Sequence, residues 1–400
     1  MIIKARFLLN TIIFYFLLVF ICASCNKYEI SDQQADVFLK FFGSYQEDVG
    51  TDVRIDDDGG YVVVGTWTTT DKAKQMCLIK TDKYGNEMSW SPKFFGDTLD
   101  DYGYGLRILG DGYVLVGTSI DGNGEKNILM VRTDKQGNAL NGFPKIFNMP
   151  GNEEGFDITE SANDGFVIAG YGDNLPLGKG GREYYLLETD GAGDSIMARH
   201  FGFAGNEQFN CIEKIADGYL CLGQSDNFTG KGTYDLTLIE ANNILYPLSP
   251  INFGTTKSDA GECLVVNADG SGVLCGTSTT ADGTQSDIFL ASFNSDLAIT
   301  TIQVAKPSSG NFTGKSVVMT AEGNYVLVGS EMQADENIYL LGLDTGGNQM
   351  FYTTFGRTGS QTGNSVRITP DGGFIIAGSN AFEGNSMITL IKTGSEGSMD

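Results

Sequence analysis

The sequence predicts an all-β protein built from repeated four-stranded sheets, and three observations support this fold class. The segment 58–65, DGGYVVVG, returns six more times in altered form. The copies end at Gly65, Gly117, Gly170, Gly223, Gly276, Gly329 and Gly378. A constant spacing of about 50 residues indicates a repeat architecture. Glycine is abundant (54 residues) and proline is scarce (8), which suits short strands joined by tight turns.

The third observation is the pattern within one repeat. In the second repeat we predict strands A to D at residues 105–108, 113–117, 128–132 and 143–147. Strands B and C are apolar at successive rather than alternate positions, which is typical of strands covered on both faces. Four-stranded sheets stacked around an axis cover each other in this way, so the sequence predicts a β-propeller.

The two ends of the repeat array complement each other. The last repeat stops after the strand at 387–392 and has no strand D of its own. Residues 37–42 resemble a strand D and precede the first strand A. We therefore expect a seven-bladed propeller over residues 37–400, closed by the N-terminal strand, which removes an exposed sheet edge. The alternative is an open solenoid, which would carry polar caps at its ends.

The N-terminus has the composition of a secretory signal. Lys4 and Arg6 precede an apolar run over residues 7–21. The run ends in Cys22-Ala23-Ser24-Cys25-Asn26, which resembles a bacterial lipobox. The resemblance implies a signal peptide over residues 1–24, a lipidated Cys25, a tether over residues 25–36 and location in the outer membrane. The alternative is a single membrane anchor, for which this run is short.

The overall charge narrows the classes of partner. The chain has 26 Lys and Arg against 50 Asp and Glu, a formal net charge of −24. Such a surface repels nucleic acid and anionic lipid, so we expect no nucleic-acid partner and membrane contact only through the lipid. We expect a monomer.

Several chemical signatures are missing from the sequence. His200 is the only histidine, so a Ser-His-Asp triad would have to use it. We find neither metal-ligand spacing nor a nucleotide-binding motif, and we predict neither a metal nor a cofactor.

Five cysteines follow the N-terminal segment. Cys211 and Cys221 flank one predicted turn, and Cys263 and Cys275 flank another. Disulfides across each hairpin are possible in an oxidising compartment. The alternative, which we favour, is that these residues are small buried hydrophobic side chains.

The loops that enter strands A and C are predicted to lie on one rim of the propeller. Acids occur there at matching places: Asp48, Asp101, Glu154, Glu207 and Asp259. Trp67 and Tyr102 are aromatic residues of the same rim. These side chains are candidates for binding a cation, a glycan or a basic partner. The alternative is that each carboxylate accepts backbone N–H bonds within its own turn.

A second candidate site lies on strand A. Arg54, Arg107 and Arg367 occupy equivalent positions in the first, second and last repeats, which closure would bring together. Three guanidinium groups can hold a carboxylate or a phosphate. Glu213 would face them across the channel. The alternative is ion pairing with acids such as Asp52 or Asp157.

Three repeated motifs carry a resemblance to a known family. They are DGGYVVVG at 58–65, LIKTDKYGN at 78–86 and KFFG at 93–96. The chain resembles bacterial secreted and lipoprotein propellers with tandem GGYIVAG and LIKTDxxGN motifs. The resemblance implies a fold and a location in the cell envelope, but it implies little chemistry.

From these features we expect a non-enzymatic binding or scaffold lipoprotein whose loop face meets a glycan or an envelope protein. The alternative is a polysaccharide hydrolase or lyase that uses the rim carboxylates of Asp101 and Glu154 as acid and base.

Overall fold

The structure is a computed structural model that describes residues 36–399 except 72, 176–177, 179–180, 227–233, 281, 306 and 357. The predicted signal peptide and Cys25, the predicted lipidation site, lie outside the described residues. Every regular element in the described part is a β-strand, so the all-β prediction is confirmed. No helix in that part is long and apolar enough to cross a membrane.

In chain order, β1 (Phe38–Gln46) is followed by seven runs of strands. The first run is β2 (Val49–Ile55), β3 (Tyr61–Thr68), β4 (Lys74–Lys80) and β5 (Lys93–Phe95). The second is β6 (Asp101–Ile108), β7 (Gly112–Ile120), β8 (Lys126–Asp134) and β9 (Lys145–Phe147). The third is β10 (Glu153–Glu160), β11 (Phe166–Asp173), β12 (Arg182–Thr189) and β13 (Ser195–Phe201). The fourth is β14 (Glu207–Ile215), β15 (Gly218–Ser225), β16 (Asp235–Asn242) and β17 (Ile251–Phe253). The fifth is β18 (Ser258–Val266), β19 (Gly272–Thr279), β20 (Ser286–Phe293) and β21 (Ile299–Ala305). The sixth is β22 (Asn311–Met319), β23 (Tyr325–Met332), β24 (Glu336–Leu343) and β25 (Gln349–Phe355). The last is β26 (Ser360–Ile368), β27 (Phe374–Phe382) and β28 (Asn385–Thr393).

The first five runs each form a separate four-stranded antiparallel sheet. The remaining strands form one eight-stranded sheet, in which the strands β22–β25 and the strands β26–β28 with β1 meet through a single parallel pair, Glu336 with Ser360. Strand β1 lies at the edge and pairs antiparallel with β28, from Phe38 opposite Lys392 to Phe42 opposite Ile388.

The hydrophobic core lies between neighbouring sheets. Val64 and Leu78 of the first run pack in one cluster with Leu115 and Leu129 of the second, and all four side chains are fully buried. Burying such a side chain stabilises the fold by about 1.5–3 kcal/mol. The consecutive apolar residues in the middle strands of a sheet therefore pack against neighbouring sheets on both of its faces, as the pattern predicted.

The first strand of each run lies beside the first strand of the next. The order of contact is β2, β6, β10, β14, β18, β22 and β26, and β26 in turn contacts β2. Contacts across this last junction are specific: the Asn364 side chain donates to the Gly50 carbonyl at 2.8 Å, and Ser365 donates to Asp52 at 2.6 Å. These seven first strands surround a common space.

Every first strand contains a β-bulge at the same place, which the sequence analysis did not predict. The pairing of each first strand with the second strand of its sheet skips one residue. The skipped residues are Thr51, Tyr104, Phe156, Asn210, Glu262, Lys315 and Asn364. A bulge re-aims a side chain. The first strand of the second run is also longer than predicted, because it continues through its bulge to Asp101.

Candidate functional site

The space enclosed by the first strands contains a cavity of about 120 Å³, which we call the axial cavity. All seven bulge residues line it. The residues that follow the seven bulges all line it as well, including Asp52, Asp157, Cys211 and Cys263. The bulge positions carry six residue types in seven repeats, with asparagine at both Asn210 and Asn364, although the strands around them are alike. They therefore give the cavity a specific chemical lining.

The three arginines predicted on strand A lie close together: Arg54 and Arg367 line this cavity, and Arg107 is near Arg54. Arg54 Nε is 3.0 Å from Asp52 Oδ2, and Arg367 Nη2 is 2.7 Å from Asp52 Oδ1. Arg107 Nη1 is 3.1 Å from Asp157 Oδ1. The ion pairs that the sequence analysis gave as the alternative are therefore present alongside the cluster.

The charges around Asp52 act on one another. Burial alone would raise the pKa of Asp52, but Arg367 and Arg54 more than offset this effect, and the pKa of Asp52 lies below its usual range. Burial and the neighbouring Arg107 and Arg367 lower the pKa of Arg54 to about 10. At neutral pH Asp52 is ionised, and Arg54 and Arg107 carry their charge.

Glu213 is the carboxyl group in the cavity with the opposite shift. Burial raises the pKa of Glu213 and Asp157 adds to this, while Arg107 opposes it at a distance of 3.5 Å. The side chain keeps 34% of its surface exposed, so it is accessible from the cavity. A reachable carboxyl group whose pKa is raised toward neutrality is suited to proton transfer.

An aromatic wall leads into the axial cavity. Tyr104 and Phe156 both line it, with ring centroids 5.3 Å apart, and Tyr102 stacks on Tyr104 at 6.4 Å with the planes nearly parallel. Tyr171 continues the wall, 6.0 Å from Phe156. The rings of Tyr102, Tyr104 and Phe156 are partly exposed. Exposed aromatic faces of this kind can pack against the apolar face of a sugar ring.

The acids of the predicted rim are buried. Asp48, Asp101, Glu207 and Asp259 have at most 1% of their surface exposed, and Glu154 has 6%. Backbone N–H groups four residues earlier in the chain donate to four of them: Ser44 to Asp48, Asp97 to Asp101, Phe203 to Glu207 and Thr255 to Asp259. These contacts correspond to the alternative in which each carboxylate stabilises its own turn.

Glu154 does not occupy the same position as the other four acids. The backbone N–H of Met149 donates at 3.4 Å to Glu153, which is the equivalent residue. Glu154 accepts hydrogen bonds from Lys126 and Tyr171, each at 2.5 Å. Asp101 and Glu154 are thus engaged and enclosed, and their assignment as the acid and base of a catalytic pair is corrected on this ground.

Of the two predicted rim aromatics, Tyr102 belongs to the aromatic wall. Trp67 is partly buried, packs on Phe94 with centroids 5.5 Å apart, and contributes to the core cluster beneath it. The structure therefore brings Tyr102 to the approach to the axial cavity and leaves Trp67 in interior packing.

The five described cysteines are free thiols. Cys211 pairs with Leu222 across the strands, and Cys211 and Cys221 belong to different core clusters on the two faces of their sheet. The two thiols therefore do not face each other. Cys263 and Cys275 lie directly opposite each other on adjacent strands. Four of the five are buried, which agrees with the preferred expectation.

The sequence analysis missed Tyr104, Phe156, Glu262 and Lys315. Glu262 and Lys315 form an ion pair of 2.6 Å on the cavity wall. A signal was present: the residue before the bulge is Gly50, Gly103, Gly155, Gly261, Gly314 or Gly363 in six of the seven repeats. Aligning the repeats on these glycines would have shown one variable position immediately after them.

Comparisons with known proteins give the fold a context. No protein-family model matches the sequence, and no curated protein is similar to it in sequence. An ulvan lyase, a polysaccharide lyase solved with -[GlcA(1-4)Rha3S]- bound, gives a TM-score of 0.55 at 10% identity and covers 91% of this chain and 97% of its own. The periplasmic gluconolactonase of Pseudomonas aeruginosa gives 0.52 at 10% identity, covering 90% and 98%. The WD40 domain of Neurospora crassa Pan2 gives 0.54 at 10% identity, covering 85% and 88%. These likenesses support a β-propeller fold.

The expectation that the protein is not an enzyme is wrong on this comparison. The ulvan lyase and the gluconolactonase are enzymes on the same fold. A puromycin hydrolase matches over 51% of its own chain and 85% of this one, with a TM-score of 0.52 at 10% identity. Several proteins with this fold are thus enzymes, and the expectation of a non-enzymatic protein is not kept.

Proposed function

We propose that the protein is an enzyme that cleaves glycosidic bonds of a polysaccharide at the axial cavity. The observation that carries the proposal is Glu213, an accessible carboxyl group with a raised pKa in a cavity that also has an aromatic wall. Among the fold neighbours, one polysaccharide lyase has a saccharide bound, which is compatible with this substrate class.

In the proposed reaction Glu213 transfers the proton. A carboxyl group is most effective in this role when its pKa approaches the working pH, and burial moves the pKa of Glu213 in that direction. Tyr104 and Phe156 hold the sugar by its apolar face, because partly exposed rings bury area there without losing hydrogen bonds. The volume of about 120 Å³ admits the reacting part of one sugar, and the rest of the chain would lie along the aromatic wall.

We infer a seven-bladed propeller as the scaffold of this site. Support comes from the single pair that joins the two halves of the eight-stranded sheet and from the contact of β26 with β2. In this seven-bladed arrangement, β1 is the outer strand of the last blade. We also propose, from the motif at residues 22–26, that a lipid on Cys25 anchors the enzyme in the outer membrane.

The proposed function is tested by Glu213→Gln, which removes the titratable group and keeps the shape. We expect release of new sugar ends from the polysaccharide that the wild type cleaves to fall at least about 100-fold. The measurement is a screen of polysaccharides for product release, followed by rates for both proteins on the best substrate, with circular dichroism to confirm folding.

The matched control is Glu160→Gln, which changes an exposed glutamate at the end of β10, away from the cavity lining. It should keep wild-type activity. If Glu213→Gln retained the activity of Glu160→Gln, Glu213 would not be the proton-transfer group and the proposal would fail.

A further inference from the structure

We propose that the polysaccharide is acidic, that Arg54 binds a sugar carboxylate next to the cleaved bond, and that the bond breaks by elimination. This inference rests on the proposed function, because it names the class of substrate for the same cavity.

Arg54 is the arginine of the cluster with free donors. Its Nε donates to Asp52 at 3.0 Å and to the Leu106 carbonyl at 3.1 Å. Its two terminal nitrogens donate to none of the residues that the structure describes, and 23% of the side chain is exposed. A guanidinium group presents its terminal N–H groups as a planar fork that fits a carboxylate.

The other two arginines are already engaged. Both terminal nitrogens of Arg107 have partners, the Leu106 carbonyl for Nη1 and Asp157 for Nη2. Those of Arg367 donate to the Val366 carbonyl and to Asp52, each at 2.7 Å. Arg367 and Arg107 thus hold the carboxylates of Asp52 and Asp157 in place. Arg54 is the arginine whose free N–H groups can bind a ligand.

The two neighbouring arginines favour an anion beside the free terminal nitrogens of Arg54. Burial and the two neighbouring arginines lower the pKa of Arg54 to about 10, which means that they destabilise its charged form. A carboxylate that binds there offsets the repulsion among the three guanidinium groups. A neutral sugar would not.

The same charge selects the type of reaction. Glycoside hydrolysis develops positive charge on the sugar, which a guanidinium group opposes. Removal of the proton on the carbon that bears the carboxylate develops negative charge on that carboxylate, which a guanidinium group stabilises. Arg54 is therefore suited to an elimination.

The atoms of this step balance without an added reagent. The Glu213 carboxylate takes the proton from the carbon that bears the sugar carboxylate, and the released electron pair forms a double bond to the next ring carbon. The bond from that carbon to the glycosidic oxygen breaks, and the oxygen takes a proton from the Tyr104 phenol. Burial raises the pKa of Tyr104, so the phenol is protonated before the step. Water carries the proton of Glu213 back to Tyr104.

The first test measures binding without turnover. In the full chain carrying Glu213→Gln, calorimetry would compare a short oligouronide with its carboxyl-reduced, neutral counterpart. We expect the oligouronide to bind more tightly, and addition of Arg54→Met to weaken its binding at least about tenfold. Arg54→Lys should restore part of the loss, while Arg199→Met on the outer strand β13 should change nothing. Equal binding of the two oligosaccharides, or no effect of Arg54→Met in a folded protein, would overturn the inference.

The second test identifies the product. Elimination yields an unsaturated uronate that absorbs ultraviolet light, whereas hydrolysis yields the same number of new reducing ends without that absorbance. Cleavage of a neutral polysaccharide, or of a uronate polymer by hydrolysis, would overturn the inference and leave the proposed function standing. Arg54-dependent binding of the oligouronide by a wild type that cleaves nothing would instead defeat the proposed function and leave the carboxylate site standing.

Discussion

Glu153 shows how one buried carboxyl group can serve a turn at the expense of stability. It has no exposed surface, its Oε2 accepts one backbone N–H at 3.4 Å, and its Oε1 has no hydrogen-bond partner among the described residues. Burial raises the pKa of Glu153 to about 7. The last repeat has Gln361 at the equivalent position, so an amide is compatible with this turn.

We predict that Glu153→Gln stabilises the protein at high pH. The unfolded chain ionises Glu153 near pH 4.3, while the folded chain keeps the proton until about pH 7, so the wild type loses stability between these values. The glutamine variant lacks this loss. The gain in unfolding free energy should be near zero at about pH 4 and reach about 3 kcal/mol at about pH 8. Urea unfolding at the two pH values measures it.

The neighbouring residue supplies the control. Glu154→Gln removes the negative charge that accepts the Lys126 and Tyr171 hydrogen bonds and weakens both, so it should lower stability at about pH 8 instead of raising it. A Glu153→Gln variant whose stability followed the wild type across the whole pH range would contradict the burial argument.

At the scale of the strand, the close approach of neighbouring sheets depends on glycine. Gly103 precedes the bulge at Tyr104, and a Cβ built on Gly103 would lie 2.5 Å from the carbonyl oxygen of Gly65 in the next sheet. Real Cβ atoms do not approach a backbone oxygen so closely, and the backbone on both sides is held by strand pairing. The glycine therefore sets the spacing between the first two sheets.

We predict that Gly103→Ala destabilises the protein by about 2–3 kcal/mol, because the two sheets must move apart to admit the methyl group. It should also lower activity, since Tyr104 moves with the strand. Gly110→Ala is the matched control, because a Cβ there meets nothing within 4 Å. That variant should stay within about 0.5 kcal/mol of the wild type. Denaturant unfolding of both variants measures the difference in stability. Equal unfolding midpoints for Gly103→Ala and Gly110→Ala would contradict the argument that Gly103 sets the spacing between the sheets.

The strands were predictable from the sequence, whereas the bulges were not. Consecutive apolar residues and the repeated glycine after strand B indicate where each strand lies, because both signals are local in the sequence. A bulge depends on how two strands register, and no residue type marks it uniquely. The arginines were found because they recur at one repeat spacing, while Tyr104, Phe156, Glu262 and Lys315 were missed because nothing repeats at their position. The role of the rim acids stayed open between two interpretations for a related reason, since a turn acid and a ligand acid look alike in sequence.

At the scale of the whole molecule, the first and last runs of strands are joined by contacts between residues far apart in sequence. Arg367 and Ser365 both bond to Asp52, and Asn364 bonds to the Gly50 carbonyl. Strand β1 adds the outer part of this junction, with Phe38 and Phe42 in one core cluster with Ile388 and Leu390. The stability of the molecule should therefore depend on the segment that precedes its first run of strands.

We predict that Phe42→Ala lowers the free energy of unfolding by about 3 kcal/mol, because it empties a buried site at this junction. Phe41→Ala is the matched control on the same strand, since Phe41 is 42% exposed against 8% for Phe42. It should cost about 0.5 kcal/mol or less. Loosening β1 would also expose the edge of β28, so Phe42→Ala should form more oligomer in size-exclusion chromatography than Phe41→Ala. Equal unfolding midpoints and equal elution of the two variants would mean that the pairing of β1 with β28 does not hold the molecule closed.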